Sequence, residues 1–268
     1  MLADFTIALW LLKLGALVNL AFLANTLVLP ENALDAHILV PAQILFAVSA
    51  FRCLFPVQYK GNVVFHDSLL SSIFLTRLLA TASEVAYIYL LSLVIRLLNA
   101  DRAAWVNTLS WLMVAQVVIS QGFVWAAILT GRLKLYFYEE LGWAIIFSAN
   151  AIASGALLLT QGAVGDAGIL LRLSMVFGLV YLPWQLVHLR LQLSDAARGG
   201  DAVTTVTGER LREGLAQSIF ARHRTSDARA WGGLVGLSWM TGYWATLIPM
   251  WVNQVVVVFS SWSAAARS

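Results

Sequence analysis

Apolar residues are grouped into seven long runs along the chain, and short polar segments separate the runs. A run of roughly 20 apolar residues is long enough to cross a bilayer as a helix. Helix-breaking residues such as Pro30, Gly61 and Gly131 stand where runs stop. The pattern predicts an all-α, polytopic membrane protein, a bundle of seven transmembrane helices that forms one domain over residues 1–268. The predicted spans are about 5–29, 38–57, 69–95, 104–130, 137–160, 168–191 and 230–259.

The third run contains ionisable residues well inside the apolar stretch. Asp67, Arg77 and Glu84 all lie between residues 65 and 97. A charge in the bilayer core is costly, so such residues usually face the bundle interior, pair with one another and mark functional sites. Arg77 and Glu84 are seven residues apart, which places them on one helix face with about 10.5 Å of rise between them. We expect them to share a polar pocket in which Arg77 pairs with Glu84 or with Glu139.

The candidate catalytic residues are the acids Glu84, Glu139 and Asp67, with Arg77 as an orienting or charge-balancing group. Asp67 precedes Glu84 by seventeen residues, about five helical turns, so a second acid near Glu84 has to come from another span. The start of the fifth span supplies Glu139 and Glu140. Acids at that position are equally explained by the favourable dipole of a helix N-terminus. Both interpretations stay open.

Composition and charge identify the bilayer as the main partner. Hydrophobic residues make up 60% of the chain and charged residues 12%, far from a soluble domain. The net charge is +3, but the basic residues lie mostly in connecting segments and form no face with interleaved aromatics, so no nucleic-acid partner is predicted. The single Cys53 supplies neither a disulfide nor a CxxC pair.

The connecting segments also predict an orientation. Eleven of their Lys and Arg residues fall on the side of the N-terminus and three on the opposite side. The positive-inside rule then predicts a cytoplasmic N-terminus and an external C-terminus. The polar residues of the spans lie mostly in the cytoplasmic half, so the pocket is predicted to open toward the cytoplasm. The first run has no basic residues before it and exceeds a signal-peptide core, which favours a span over a cleaved leader.

The longest connection, residues 192–229, has a helical pattern. Leu211, Leu215 and Ile219 recur every four residues while arginines take the other faces, and Thr207 stands where a cap is expected. This arrangement is typical of a basic amphipathic helix at a membrane surface. A solvated loop with some helical tendency is the alternative.

Further polar and aromatic residues of the spans are candidates for substrate binding. They are Gln116, Gln121, Asn150, Trp239, Tyr243 and Trp244. The three aromatics are expected to wall an apolar cavity or to pack within the bundle. A metal site at His66 and His188 is a weak alternative, because no HxxxH or HExxH spacing occurs, and no cofactor is predicted. The last run has no lysine for a retinal Schiff base, and the chain has no GxSxG elbow or P-loop.

A single buried pocket with carboxylates favours an integral-membrane enzyme. Its expected substrate is lipophilic, an isoprenoid, a sterol or another lipid, and its expected chemistry is acid–base catalysis. A proton- or cation-coupled transporter would use the same acids but needs polar residues across the whole membrane. A non-catalytic subunit of a membrane complex would turn Arg77 or Glu84 outward. The sequence identifies no protein partner.

Overall fold

A computed structural model of the chain describes residues 4–30, 33–161, 165–199 and 205–265. Seven stretches of described helix are long and apolar enough to cross a membrane. The helices are α1 Thr6–Leu27, α2 Ala36–Leu54, α3 Ile73–Leu97, α4 Ala104–Thr130, α5 Lys134–Gln161, α6 Gly165–Gly199, α7 Gly208–Phe220, α8 Gly233–Trp239 and α9 Leu247–Ala265. A π-helical segment, Met240–Ala245, joins α8 to α9, and these three form the seventh span. The prediction of an all-α bundle is confirmed, and the protein is an integral, multi-pass membrane protein.

The chain forms two compact units, and the divisions fall inside α3 and inside α7. The first unit comprises Met1–Ala86 and Leu211–Ser268, and the second comprises Tyr87–Arg210. The assignment of one domain over residues 1–268 stays a prediction. Parts of the predicted 31–35, 161–167 and 192–229 connections, and Arg267, lie outside the described residues.

Two connections and the N-terminal segment meet at one end of the first unit. Strand β1, Val57–Gln58, pairs antiparallel with β2, Val63–Val64, and β2 pairs in parallel with β3, His223–Arg224. The chain turns between β1 and β2 through Gly61, whose φ of 73° favours glycine. The N-terminal segment joins the same end, because Phe5 N–H donates to Ser226 O at 2.8 Å. The predicted topology places these three segments on one side of the membrane, and their contacts agree with that grouping.

The start of α3 differs from the prediction. The pattern placed the third span from about residue 69, whereas α3 begins at Ile73. Leu69–Ser71 forms a 3₁₀ turn, Ser72 is extended, and Ser72 Oγ accepts a hydrogen bond from Leu75 N–H at 3.2 Å. This serine therefore caps the helix, since its side chain satisfies an otherwise free N–H of the first turn. Asp67 consequently precedes α3 and is not part of it.

The predicted helix in the long connection is present as α7. Thr207 Oγ1 accepts from Arg210 N–H at 3.2 Å, which confirms the expected cap. Leu211 and Leu215 are each 39% exposed, so the apolar face is only partly covered. Helix formation excludes the loop interpretation for residues 208–220. The location of α7 at a membrane surface stays a prediction.

In the second unit α5 packs against both α4 and α6. Gly142 of α5 allows the close approach to α4, because a Cβ there would lie 2.7 Å from Gln116 Nε2. Gly178 of α6 does the same on the other side, where a Cβ would lie 2.9 Å from Ala151 Cβ. Small residues let helix backbones approach in membrane bundles. This close contact positions the polar residues of α5 described below.

Candidate functional site

The buried charges of the first unit are grouped around the carboxylate of Glu84. Arg77 Nη2 donates to Glu84 Oε2 at 2.6 Å, and Arg52 Nη1 donates to Glu84 Oε1 at 3.4 Å. Each of the three residues is at most 3% exposed. Helical side chains point back toward the N-terminus of their helix, so Glu84 extends toward Arg77 along α3. Arg77 thus pairs with one of its two predicted partners, in what we call the Arg52–Glu84–Arg77 triad.

Aromatic rings lie against the triad. The Arg52 guanidinium carbon is 4.3 Å from the ring centroid of Trp244 and 5.6 Å from that of Tyr243. Tyr59, from the turn after β1, accepts a hydrogen bond from Arg52 Nη2 at 3.4 Å, and its ring centroid is 5.5 Å from the Arg77 guanidinium carbon. Cations over ring faces are attracted by the ring quadrupole, most strongly where water is absent. Tyr243 and Trp244 therefore line the charged site, in addition to packing within the bundle.

Buried donors of Arg52 and Trp244 have no hydrogen-bond partner among the described residues. They are Arg52 Nε and Trp244 Nε1, and both atoms are buried. A buried donor without an acceptor costs about 1–3 kcal/mol, so such groups usually meet a water or a ligand. The carboxylate oxygens near Arg52 are already shared with Arg77. An oxygen atom of a ligand within hydrogen-bond distance would satisfy either donor.

A break in the seventh span places Tyr243 and Trp244. Pro249, in the first turn of α9, has no N–H to donate to the carbonyl of Trp244 one π-turn earlier. Asn19 of α1 supplies the missing donor, because its Nδ2 lies 2.9 Å from Trp244 O. Gly15 allows α1 to come this close, since a Cβ there would lie 2.5 Å from Ala245 Cβ. The irregular segment before Pro249 is therefore π-helical and fixed to α1.

Asp67 and His66 lie outside the triad. Asp67 accepts from Arg222 Nε at 2.8 Å, and its side chain is 62% exposed. His66 Nε2 is 2.9 Å from Lys13 Nζ. Burial lowers the pKa of His66 below its ordinary value, and the positive charges of Lys13 and Arg224 lower it further. A neutral ring can accept the lysine hydrogen bond, so this contact is satisfied without a carboxylate.

The other predicted polar residues belong to the second unit. Gln121 is 5% exposed, and Gln116 Nε2 lies 3.5 Å from Ser120 Oγ on α4. Asn150 is fully buried, and its Nδ2 donates to Ser174 O of α6 at 3.2 Å. Glu139 is buried in α5 at 6% exposure. Their predicted roles in substrate binding and catalysis stay predictions.

The weak metal alternative gains no support. The described residues contain no group of three or more His, Cys, Asp or Glu side chains placed to hold a metal ion. His66 Nε2 contacts Lys13, and His188 Nε2 lies 2.9 Å from Gln192 Nε2. A metal at either atom would have to displace these contacts.

Sequence reasoning missed Tyr59 and Asn19 as parts of the site and favoured a position among the headgroups for Arg52. Arg52 stands near the end of a span, a position that usually indicates a side chain reaching the headgroups. Tyr59 and Asn19 are ordinary residues of a connection and a span. One signal was available, since Asn19 is the polar residue nearest the middle of the first run.

The chain matches no protein-family model, no curated protein and no solved structure.

Proposed function

We propose that the protein is an integral-membrane enzyme that acts on a lipophilic substrate, an isoprenoid, a sterol or another lipid, by acid–base chemistry. The observation that carries the proposal is the Arg52–Glu84–Arg77 triad, buried in an apolar helix bundle and lined by Tyr59, Tyr243 and Trp244. Ionisable residues kept at depth in a membrane protein usually serve a function. Glu84 and Arg77 face inward, which favours a site over a staple to partner spans.

The free donors specify the substrate further. Arg52 Nε and Trp244 Nε1 are buried donors that need an acceptor, and the guanidinium charge favours an anionic or strongly polar one. We therefore assign to the substrate a carbonyl, carboxylate or phosphate group at one end of an apolar body. The rings of Tyr243 and Trp244 would contact that body. Such a molecule reaches the site from the bilayer.

The acids take different roles in this proposal. Both oxygens of Glu84 accept hydrogen bonds from permanently charged guanidinium groups, so Glu84 holds the two arginines in place. Glu139, which is buried and ionisable in the second unit, is a further proposed acid or base, and its role is tested separately from that of the triad. Asp67, exposed and paired with Arg222, is the weakest of the three candidates.

Lipid analysis tests the proposal. Purified protein in detergent is incubated with a lipid extract from a strain that lacks it, and the products are identified by mass spectrometry. We expect wild type to convert one lipid class, and Arg52→Gln and Glu139→Gln to lose that conversion. Arg96→Gln is the matched control, because Arg96 is a span arginine that contacts Ser110 and the Trp111 ring instead of a carboxylate. It should retain activity.

Two results would contradict the proposal that the protein is an enzyme. Conversion that survives in Arg52→Gln and Glu139→Gln would exclude these residues from the chemistry. Movement of a solute across vesicle membranes by wild type, with every lipid chemically unchanged, would favour the transporter.

The predicted orientation belongs to the same proposal, since it decides which compartment the pocket faces. With seven spans, a cytoplasmic N-terminus puts the C-terminus outside, and the excess of Lys and Arg on the N-terminal side supports that assignment. Alkaline phosphatase fused after α9 should be active in a bacterial host, and a green fluorescent protein at the same point should be dark. The reverse pattern would show that the orientation is opposite to the predicted one.

A further inference from the structure

A second buried carboxylate lies in the second unit, apart from the residues that the proposed reaction uses. Glu140 of α5 faces Gln185, His188 and Gln192 of α6, which are spaced three and four residues apart and so share one helix face. Gln185 Nε2 donates to Glu140 O at 2.7 Å and to Glu140 Oε2 at 2.8 Å. His188 Nδ1 lies 3.5 Å from the same Oε2.

The carboxylate has no permanent positive partner. Among the described residues the only basic group in contact with Glu140 is His188, and the two side chains are 10% and 15% exposed. A lone carboxylate anion is costly in this environment, whereas a neutral pair is not. Neutrality requires one proton, either on the Glu140 carboxyl group or as the second proton of the His188 ring. The pair therefore offers two positions for one proton, the carboxylate of Glu140 and the ring of His188.

The amide groups of Gln185 and Gln192 are compatible with either position of the proton. Both nitrogen contacts of Gln185 are to oxygens, which fixes its amide orientation and leaves its Oε1 as a buried acceptor without a partner among the described residues. Gln192 Oε1 is also buried and without such a partner. Rotation of the Gln192 amide by half a turn brings an acceptor to His188 Nε2 in place of a donor. His188 Nε2 thus has a partner in either protonation state of the ring, and Nδ1 faces the carboxylate at 3.5 Å without a hydrogen bond among the described residues.

Few other charges act on the pair. The packed helix α4 has no ionisable residue. The other ionisable residues of α5 are buried Glu139 and Tyr136 and exposed Tyr138 and Lys134, and Tyr181 is the nearest on α6 before His188. Arg190 of α6 is exposed. None of these is a second basic group in contact with the carboxylate, so the proton of the pair balances its charge.

We propose that Glu140 and His188 form a proton-exchange site, in which the pair takes up one proton from water and releases it again. His188 stands six residues before the polar run that begins at Ser194, less than two helical turns from the end of the apolar part of α6. Gln185 orients the carboxyl group, and the amide of Gln192 rotates when the protonation state of the ring changes. The site needs no lipid substrate.

Infrared difference spectroscopy tests the proposal on the full-length protein in phosphatidylcholine nanodiscs. Spectra are compared between mildly alkaline and mildly acidic buffer, and glutamate labelled with ¹³C at the carboxyl carbon identifies the bands. We expect a pH-dependent carboxyl band and a histidine ring band that change together. Glu140→Gln should lose the carboxyl band, and His188→Gln should lose the ring band. Glu209→Gln is the control, because Glu209 is exposed in the first turn of α7.

Spectra of Glu140→Gln and His188→Gln that both match wild type would overturn the proposal, and so would a wild-type spectrum without pH-dependent bands. Gln keeps an oxygen for Gln185, which favours folding of the first variant, and the second gives an independent result if the first fails to fold. The outcome is separable from the proposed enzymatic function, because no substrate is present and Arg52→Gln should keep both bands.

Discussion

Glu84 of the first unit and Glu140 of the second are both buried, but the groups around these two carboxylates differ in whether they can lose their charge. Glu84 contacts two guanidinium groups, which stay protonated under all ordinary conditions. Glu140 contacts an imidazole and an amide. Imidazole is the side chain whose charge changes near physiological pH. The charges around Glu84 are therefore fixed, whereas Glu140 and His188 are proposed to exchange one proton.

This difference indicates which function each region can serve. Fixed, hydrogen-bonded charges bind and orient a polar group without changing their own state. A pair that shares one proton can give it away and recover it. Substitutions that remove one carboxylate at a time should therefore have unequal effects, and the following predictions are ordered by the size of the effect.

The largest effect is expected for Glu84→Gln. It leaves two buried guanidinium groups without a shared carboxylate, and breaking a buried ion pair from one side costs about 3–5 kcal/mol of unfolding free energy. Denaturation in detergent micelles measures the loss. Asp67→Asn is the matched control, because that carboxylate is exposed and should cost at most about 1 kcal/mol. Equal losses in the two variants would mean that the triad is not a buried charge cluster.

Gly15→Ala tests whether the seventh span is fixed against α1. The new methyl group would overlap Ala245 Cβ and lie 2.9 Å from its Cα, so the backbone has to shift. Overpacking of this kind costs about 1–3 kcal/mol, read by the same denaturation assay. Gly122→Ala has open space around it and should instead stabilise α4 by up to about 1 kcal/mol. A loss in Gly122→Ala as large as in Gly15→Ala would remove the argument for a close contact.

A smaller loss is expected for Glu140→Gln. The amide keeps an oxygen for Gln185 and strands no permanent cation, so the variant should lose only about 1 kcal/mol of unfolding free energy. Measured beside Glu84→Gln, this value sharpens the contrast between the two carboxylates. A loss as large as that of Glu84→Gln would indicate a permanent cation beside Glu140.

The smallest effect concerns pH. The pKa of His66 in the folded protein lies below its ordinary value of 6.5, so the unfolded chain takes up this proton more readily. The neutral ring therefore contributes stability above pH 6.5, and the contribution is lost as the pH falls through 6.5 toward the folded pKa. His66→Gln should flatten this part of the stability profile measured by denaturation at several pH values. Equal slopes in wild type and His66→Gln would contradict the assignment.

The sequence predicted what depends on local patterns and missed what depends on distant contacts. The seven spans follow from runs of apolar residues, and the Arg77–Glu84 pairing follows from helical spacing within one run. Arg52 is different, because an arginine at a span end is stable either among headgroups or buried. Its burial is decided by Glu84 and by Trp244, which arrive from other parts of the chain. The start of α3 was missed because the cap at Ser72 interrupts an apolar run without a proline or glycine.

The position of the π-helical segment near the C-terminus bears on how the site is made during synthesis. Chains emerge from the ribosome in N-to-C order. Arg52, Arg77 and Glu84 are on consecutive spans, so their charges can neutralise one another early, before the remaining spans enter the membrane. Trp244 and Tyr243 come with the last span, and the anchor Asn19 has been in place since the first. These two aromatic residues are therefore added last. A chain arrested before the seventh span would have the paired charges but not the aromatic rings that pack against them.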